Sequence, residues 1–253
     1  MLEVVAVPVL TDNYVWLIHN GETGETAAVD PSVAEPVLDA VAAKGWSLTQ
    51  VLNTHWHPDH TGGNEGIKNA TGAPITAPAE AQRVSTVDRI VAEGDRVTVA
   101  GAEAVVWDIP AHTAGHIAYY FEDEGMIFVG DTMFAMGAGR IFEGNAEMMW
   151  KSLQKLSRLP RDTEIYCGHE YTQSNAAFAL TLEPDNQALV NRAKEVDQLR
   201  KDNKPTLPTR LDRELETNPF LRPHVTAIRA KLGMLYAPDW HVFAAIRERK
   251  NKS

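Results

Sequence analysis

Up to about residue 170, short β-branched and apolar runs alternate with turn residues: VVAVPVL, YVWLIH, TAAVD, QVLNT, RVTV, AVVWDIP, IAYYF, MIFVG and EIYCG. Runs of this length, punctuated by Gly, Asp, Asn and Pro, predict strands. Helix-spaced stretches interrupt them near 33–44, 62–70 and 146–158, the last opening at Asn145 as an N-cap. Beyond 170 the strand signal vanishes, and NQALVNRAKEVDQLRKDN, RPHVTAIRAKLG and DWHVFAAIRERKNK carry apolar residues at helical spacing. KPTLPT, residues 204–209, is a Pro-punctuated connector within that region. The pattern predicts a β-rich α/β domain over 1–170 and a helical domain over 171–253, without repeats or low-complexity tracts.

Composition narrows the partners. With 253 residues and 44% hydrophobic content the chain can bury an ample core. Its formal charge of −10, from 34 acidic against 24 basic residues, argues against a nucleic-acid or anionic-membrane partner, because both need a basic face. An anionic substrate must then meet a local basic patch. The single cysteine, Cys167, excludes an internal disulfide and fits a reducing compartment. MLEVVAVPVLTDNYVWLIHN has no basic n-region and no long apolar run, so a cytoplasmic protein is expected.

The chemistry gathers in THWHPDHTGGN, residues 54–64, which places His55, His57, Asp59 and His60 within six positions, three of the chain's nine histidines. Clustered imidazoles beside a carboxylate are hard to satisfy by hydrogen bonding alone, and a metal removes that difficulty. The cluster follows QVLNT. His112 follows AVVWDIP, Asp131 follows MIFVG, and His169 follows EIYCG. Every candidate ligand therefore lies just past the C-terminal end of a predicted strand, where an α/β architecture gathers its loops. Seven nitrogen and oxygen donors exceed one tetrahedral ion. In an extended segment His55 and His57 share a face, whereas Asp59 and His60 lie past Pro58, where the chain turns into a helix expected near Thr61. Two faces imply two ions, with Asp131 suited to bridge them. Zinc suits this donor set, and iron and manganese fit it too, because imidazole and carboxylate discriminate weakly.

THWHPDH, the His112 of HTAGH, Gly130-Asp131 and CGHEYT (167–172) resemble the metallo-β-lactamase superfamily, and within it the glyoxalase II, or hydroxyacylglutathione hydrolase, family. The resemblance runs the whole chain through TDNY (11–14), AAVDPS (27–32), GRIFEG (139–144), LEPDN (182–186), NPFLR (218–222) and a C-terminal Arg-x-x-Lys. It implies an αββα sandwich followed by a helical glutathione-binding domain. It also implies ligand sets of His55, His57 and His112 for one ion and Asp59, His60 and His169 for the other, with Asp131 shared. It places Arg140 as a basic residue beside the metals, Tyr171 as a contact to the glutathione backbone, and Arg247 and Lys250 as a pair meeting the glycyl carboxylate. Phe142 departs from the family's usual tyrosine, so one hydroxyl contact to substrate is absent.

The implied reaction is hydrolysis of S-2-hydroxyacylglutathione thioesters, such as S-D-lactoylglutathione, to glutathione and D-lactate, the second step of methylglyoxal detoxification, by a monomeric enzyme. Water between two divalent ions titrates near neutrality, and a bridging hydroxide held by Asp131, Asp59 and His60 would attack the carbonyl. Asp30, in AVDPS, is placed to orient a ligand histidine. A mononuclear iron dioxygenase acting on glutathione persulfide would need one three-ligand site and no helical tail, and a non-hydrolytic electron-transfer module would need a flavin or iron–sulfur signature. A β-lactamase or nuclease fits an acidic chain without a secretory signal poorly. His19, His116, His224 and His241 read as core or surface residues, with His116 bracing the His112 loop. Cys167 reads as a small buried apolar residue, and Met133, Met136, Met148 and Met149 as core fillers. On periodicity alone Arg247 and Lys250, one helical turn apart, would be a solvated face.

Overall fold

The computed structural model describes residues 2–253, which divide into two compact units. One extends to Asp108 and takes in Thr113–Gly130. The other comprises Ile109–His112 and Asp131–Ser253.

The first unit opens with β1 (Leu2–Val9), β2 (Asn13–Asn20) and β3 (Glu25–Val29), paired antiparallel in that order. YVWLIH lies at the centre of β2 and is buried along its length, as a strand covered on both faces must be. From β3 the sheet becomes parallel through β4 (Ser47–Leu52), β5 (Ile75–Ala77) and β6 (Arg89–Ile90). Helix α1 (Ala34–Ala43) makes the first crossover, and α2 (Pro58–Thr61) with α3 (Asn64–Thr71) the second. Val37, Val41 and Ile67 of these helices join Leu17, Ala28, Val51 and Ile75 in one core. Parallel pairing delivers the C-terminal ends of β3 and β4 side by side, and Asp30 N donates to Leu52 O at 2.8 Å. The second set of strands, β7 (Arg96–Val99), β8 (Ala102–Asp108), β9 (Ile117–Phe121) and β10 (Met126–Gly130), is an antiparallel meander. It packs on the first sheet through buried Tyr119, whose hydroxyl donates to Asn53 O at 3.1 Å and Thr76 O at 3.2 Å.

The second unit holds the hairpin β11 (Met133–Phe134) and β12 (Gly137–Ala138), α4 (Ala146–Leu156), and β13 (Glu164–Cys167), which pairs antiparallel with β14 (Thr209–Arg210). Asn145 caps α4, its side chain accepting from Met148 N. The remaining helices are α5 (Thr172–Leu182), α6 (Gln187–Lys201), α7 (Leu211–Thr217), α8 (Thr226–Leu232) and α9 (Asp239–Asn251). Met133, Met136 and Met149 are fully buried and Met148 half-buried.

The nine apolar runs all became strands, and the three helix-spaced stretches before 170 all became helices. Four features differ from expectation, the first being that the short strands β5, β6, β11 and β12 fall outside the nine apolar runs. The helical turn after His57 starts at Pro58, not near Thr61, because proline is pre-set for the first helical position, and Asp59 and His60 thus lie inside that turn. A short strand, β14, exists beyond 170, held by its pairing with β13 and not by any apolar run of its own. Helices α5 and α7 lack an apolar stripe in sequence: the buried face of α5 includes the polar Thr172 and Asn175 while apolar Ala177 is exposed, and that of α7 includes Glu214 and Thr217. Among the described residues no helix is long and apolar enough to cross a membrane.

Candidate metal centre

The first unit contributes a four-residue cluster. His55 and His57 converge as their spacing predicts, with His55 Nε2 3.1 Å from His57 Nδ1. Two ring nitrogens facing at that distance share either one proton or one cation. The other nitrogen of His55, Nδ1, lies 3.0 Å from Thr54 Oγ1. His60 Nδ1 lies 3.1 Å from Asp30 Oδ2, which leaves Nε2 facing Asp59 Oδ2 at 3.5 Å. Asp30, buried at the end of β3, adopts a left-handed backbone (φ 53°), which aspartate tolerates better than most residues. Its carboxylate also accepts from Thr54 N and Thr54 Oγ1, both at 2.7 Å. The atoms of Asp30, His55 and His60 lie within 4.8 Å of one another. Asp30 also bonds Thr54 and His60, an arrangement in keeping with the orienting role that the sequence suggested.

His116 is fully buried and stacks on His55 with ring centroids 4.5 Å apart. It therefore braces the first ligand loop, whereas the sequence suggested the His112 loop. Glu80 holds the segment before His116, accepting from Thr113 Oγ1 at 2.5 Å and Gly115 N at 2.6 Å. Gly130 (φ 47°) ends β10, and a Cβ there would stand 2.2 Å from Thr54 Oγ1. Of the remaining histidines, His19 is buried against Trp46 and bonded to Thr26, while His224 and His241 are exposed.

The second unit gathers His112, Asp131 and His169 around one carboxylate oxygen. Asp131 Oδ2 lies 3.5 Å from His112 Nε2 and 3.2 Å from His169 Nε2. His112 Nδ1 bonds the Arg140 carbonyl at 2.9 Å. Gly139, just before, leaves no room for a side chain, since a Cβ would meet Asp131 O at 2.0 Å. Tyr171 stacks on His169 with centroids 4.7 Å apart and planes 4° from parallel, and Phe134 meets both rings edge-on. Phe142, 60% exposed, presents its edge to His112. Cys167 is buried, and burial pushes its thiol well above the usual range, in keeping with a small buried apolar residue.

Beside them Arg140, Arg247 and Lys250 form a cationic group. Arg247 is only 7% exposed, not a solvated face. Its Nη1 donates to Ala138 O at 2.6 Å, its Nε to Asn251 Oδ1 at 3.0 Å, and its guanidinium lies over the Phe220 ring. Burial, with the Arg140 charge, pushes its pKa down to about 10. Lys250 donates to Ser174 O at 3.1 Å and lies over Phe178. Its pKa too is lowered, by burial and then by the charges of Arg247 and Arg140. Arg247 and Lys250 are thus partly desolvated cations that feel the charge of the exposed Arg140.

Sequence reasoning missed what holds this group. Glu214, fully buried, accepts from Arg192 Nη2 at 2.5 Å, Thr209 Oγ1 at 2.7 Å, Met136 N at 2.8 Å and Asn218 Nδ2 at 2.9 Å. Asn218 also donates to Gly137 O at 3.0 Å and Phe134 O at 3.2 Å, and Asn175 to Ala135 O at 3.1 Å. The hairpin leading from Asp131 to Arg140 is thus fastened from behind. Glu183 and Arg222 make a two-point pair at 2.9 and 3.0 Å that joins LEPDN to NPFLR. NPFLR carried the only sequence signal for Asn218, while Glu214 and Arg192 look like ordinary helix-surface charges in DRELE and VNRAK.

The comparisons agree with this picture. Residues 10–169 match the family model for the metallo-beta-lactamase superfamily, and residues 170–253 the model for the hydroxyacylglutathione hydrolase C-terminus. The chain is 50% identical to hydroxyacylglutathione hydrolase of Methylococcus capsulatus over 252 residues, covering 99% of this chain and 98% of that one. It is also 50% identical to hydroxyacylglutathione hydrolase of Rhodospirillum rubrum over 251 residues, with the same coverage. Among solved structures, the BLEG-1 B3 metallo-beta-lactamase is similar with a TM-score of 0.67 at 18% identity, over 87% of this chain and 99% of that one. ETHE1 from Myxococcus xanthus is similar with a TM-score of 0.66 at 24% identity, over 99% and 98%. Those structural likenesses speak for the fold alone, whereas the full-length identities reach further: the chain belongs to the hydroxyacylglutathione hydrolase family of the metallo-β-lactamase superfamily.

Proposed function

We propose that this chain hydrolyses S-2-hydroxyacylglutathione thioesters, S-D-lactoylglutathione among them, to glutathione and the free hydroxy acid, using two divalent ions, most simply zinc. His55, His57 and His112 would hold one ion, Asp59, His60 and His169 the other, and Asp131 both. One observation carries the reading: His55, His60 and His112 each engage an oxygen through Nδ1, and the Nε2 atoms of His60, His112 and His169 each face a carboxylate oxygen. That is how proteins orient imidazoles for metal. Such ions supply water of lowered pKa and a Lewis acid for the carbonyl oxygen.

The chain's own residues do the rest. Asp30 fixes the ring of His60, and the Arg140 carbonyl fixes that of His112. Arg140, Arg247 and Lys250 offset the net charge of −10 locally and receive the glycyl carboxylate. Tyr171 meets the peptide backbone of glutathione, and Phe142 leaves one hydrogen bond unmade. Sulfur departs as a thiolate whose acid has a pKa of about 8.5, so no proton donor need be placed for it. We place the catalytic domain at 1–170 and the glutathione-binding domain at 171–253, in a cytoplasmic monomer, a location that the single Cys167 supports.

The test is thiol release from S-D-lactoylglutathione by the purified chain. Release that stops on chelation and returns with zinc, without oxygen uptake, is expected. A zinc-loaded chain that releases no thiol, or that consumes oxygen with glutathione persulfide, would overturn the proposal.

A further inference from the structure

Asp59 is unlike the other carboxylate of the set. Its side chain is 39% exposed, against 8% for Asp131, so packing does not fix its rotamer and water competes for its oxygens. What restrains it comes from 46 residues earlier. Asn13, the first residue of β2, is 95% buried, and its amide nitrogen donates to Asp59 Oδ2 at 3.1 Å and to Asp59 O at 3.2 Å. The oxygen that Asn13 holds is the one facing His60 Nε2 at 3.5 Å. Ser32 Oγ donates to the same Asp59 carbonyl, and Gly63 N to Pro31 O at 2.8 Å, which ties the backbone of the α2 turn to the segment after β3. Backbone and carboxylate are therefore restrained by different bonds, and Asn13 acts on both.

The residue type matters. An amide donates a hydrogen bond without charge, so it selects one carboxylate orientation while leaving the negative charge available to a cation. A lysine or arginine there would cancel that charge, and an aspartate would repel it.

We infer that Asn13 is a positioning residue for Asp59, and that through Asp59 it sets the affinity of one ion only, the one assigned to Asp59 and His60, while the ion assigned to His55 and His57 does not depend on it. This rests on the two-ion reading above. It also gives TDNY, a motif that holds no ligand of its own, a task in metal binding.

The experiment is a zinc titration of the metal-stripped full chain in competition with a chromophoric chelator. The wild type binds two ions. Asn13→Ala weakens one of them by about 10- to 100-fold, the usual effect of losing a partner behind a metal ligand, and leaves the other within about threefold. Asn13→Leu, which keeps the volume but not the donor, behaves alike. In an Asp59→Ala background Asn13→Ala changes zinc affinity no further, because a positioning effect exerted through Asp59 vanishes with it, whereas a merely structural effect adds. Unchanged affinity for both ions, equal weakening of both, or additivity with Asp59→Ala would overturn the inference. A wild-type chain that binds a single zinc ion contradicts the two-ion reading itself, before any variant is made, and this inference falls with it.

Discussion

The two units assemble their candidate ligands by opposite means. In the first, His55, His57, Asp59 and His60 come from one stretch of six residues, and Asp30, at the end of the neighbouring parallel strand, orients them locally. In the second, His112, Asp131 and His169 come from three segments, and the hairpin carrying the chain from Asp131 to Arg140 is fastened by distant residues, Asn218 and Glu214 among them, 84 and 78 positions from their partners Phe134 and Met136. Contiguous ligands need little beyond a strand, a proline and a turn. Dispersed ligands need a buried polar network, so a substitution far from the site can reach them.

Glu214→Ala breaks that contrast hardest. It strands the Arg192 charge in a buried position and frees Met136 N and Asn218 at once, and should cost about 3–5 kcal/mol in denaturant unfolding. Metal affinity should fall with it, the His112 and His169 contributions before those of the contiguous cluster. A loss under about 1 kcal/mol would mean that the network is solvated and does not support the hairpin.

The cationic group comes next, and here the structure separates two residues that the sequence treated as a pair. Lys250→Ala should raise KM for glutathione thioesters about tenfold, roughly 1.4 kcal/mol, with kcat and stability little changed. Arg247→Ala leaves the Ala138 carbonyl without its donor and empties space over Phe220, so it should lower stability by about 1–3 kcal/mol as well. The control is a thioester lacking the glycyl carboxylate: Lys250→Ala should handle it like the wild type, and equal losses on both substrates would remove the assignment.

The two processes should respond to alkaline pH with opposite sign. Lys250 and Arg247 both have lowered pKa values, Arg247 pushed down to about 10, so each loses its charge before an ordinary lysine or arginine would. KM for glutathione thioesters should therefore rise with pH in that range. Over the same interval the unfolded chain binds more protons than the folded one, so stability contributed by these groups increases with pH. A KM flat to the alkaline limit of the fold would contradict the anion site.

Phe142→Tyr is the smallest change. The ring is exposed beside His112, so an added hydroxyl has room, and KM should fall by the equivalent of about 0.5–1.5 kcal/mol with kcat unchanged. An unchanged KM would mean that this loop meets no part of the substrate.

The same contrast explains what the sequence revealed. The seven ligand candidates were legible because each follows an apolar run that could only be a strand, and strand ends mark where loops gather. IAYYF and MIFVG matched their strands to the residue. Helix α5 was not legible, because its one buried face carries the polar Thr172 and Asn175 and its exposed face the apolar Ala177, which blurs the apolar periodicity. Glu214, Arg192 and Asn13 were silent for a different reason. A buried polar residue is identified by partners far along the chain, and nothing local in DRELE or TDNY distinguishes it from a solvated one. Arg247 belongs with them, since its spacing from Lys250 suggested solvent and its burial depends on Phe220 and Ala138.

The central claim of the proposed function is that Asp131 holds both ions. Elemental analysis of purified wild type, His112→Ala and Asp131→Ala tests it most directly. The account predicts two tightly held ions per wild-type chain, loss of mainly one in His112→Ala, and loss of both in Asp131→Ala. An Asp131→Ala chain that keeps two tightly held ions would contradict it.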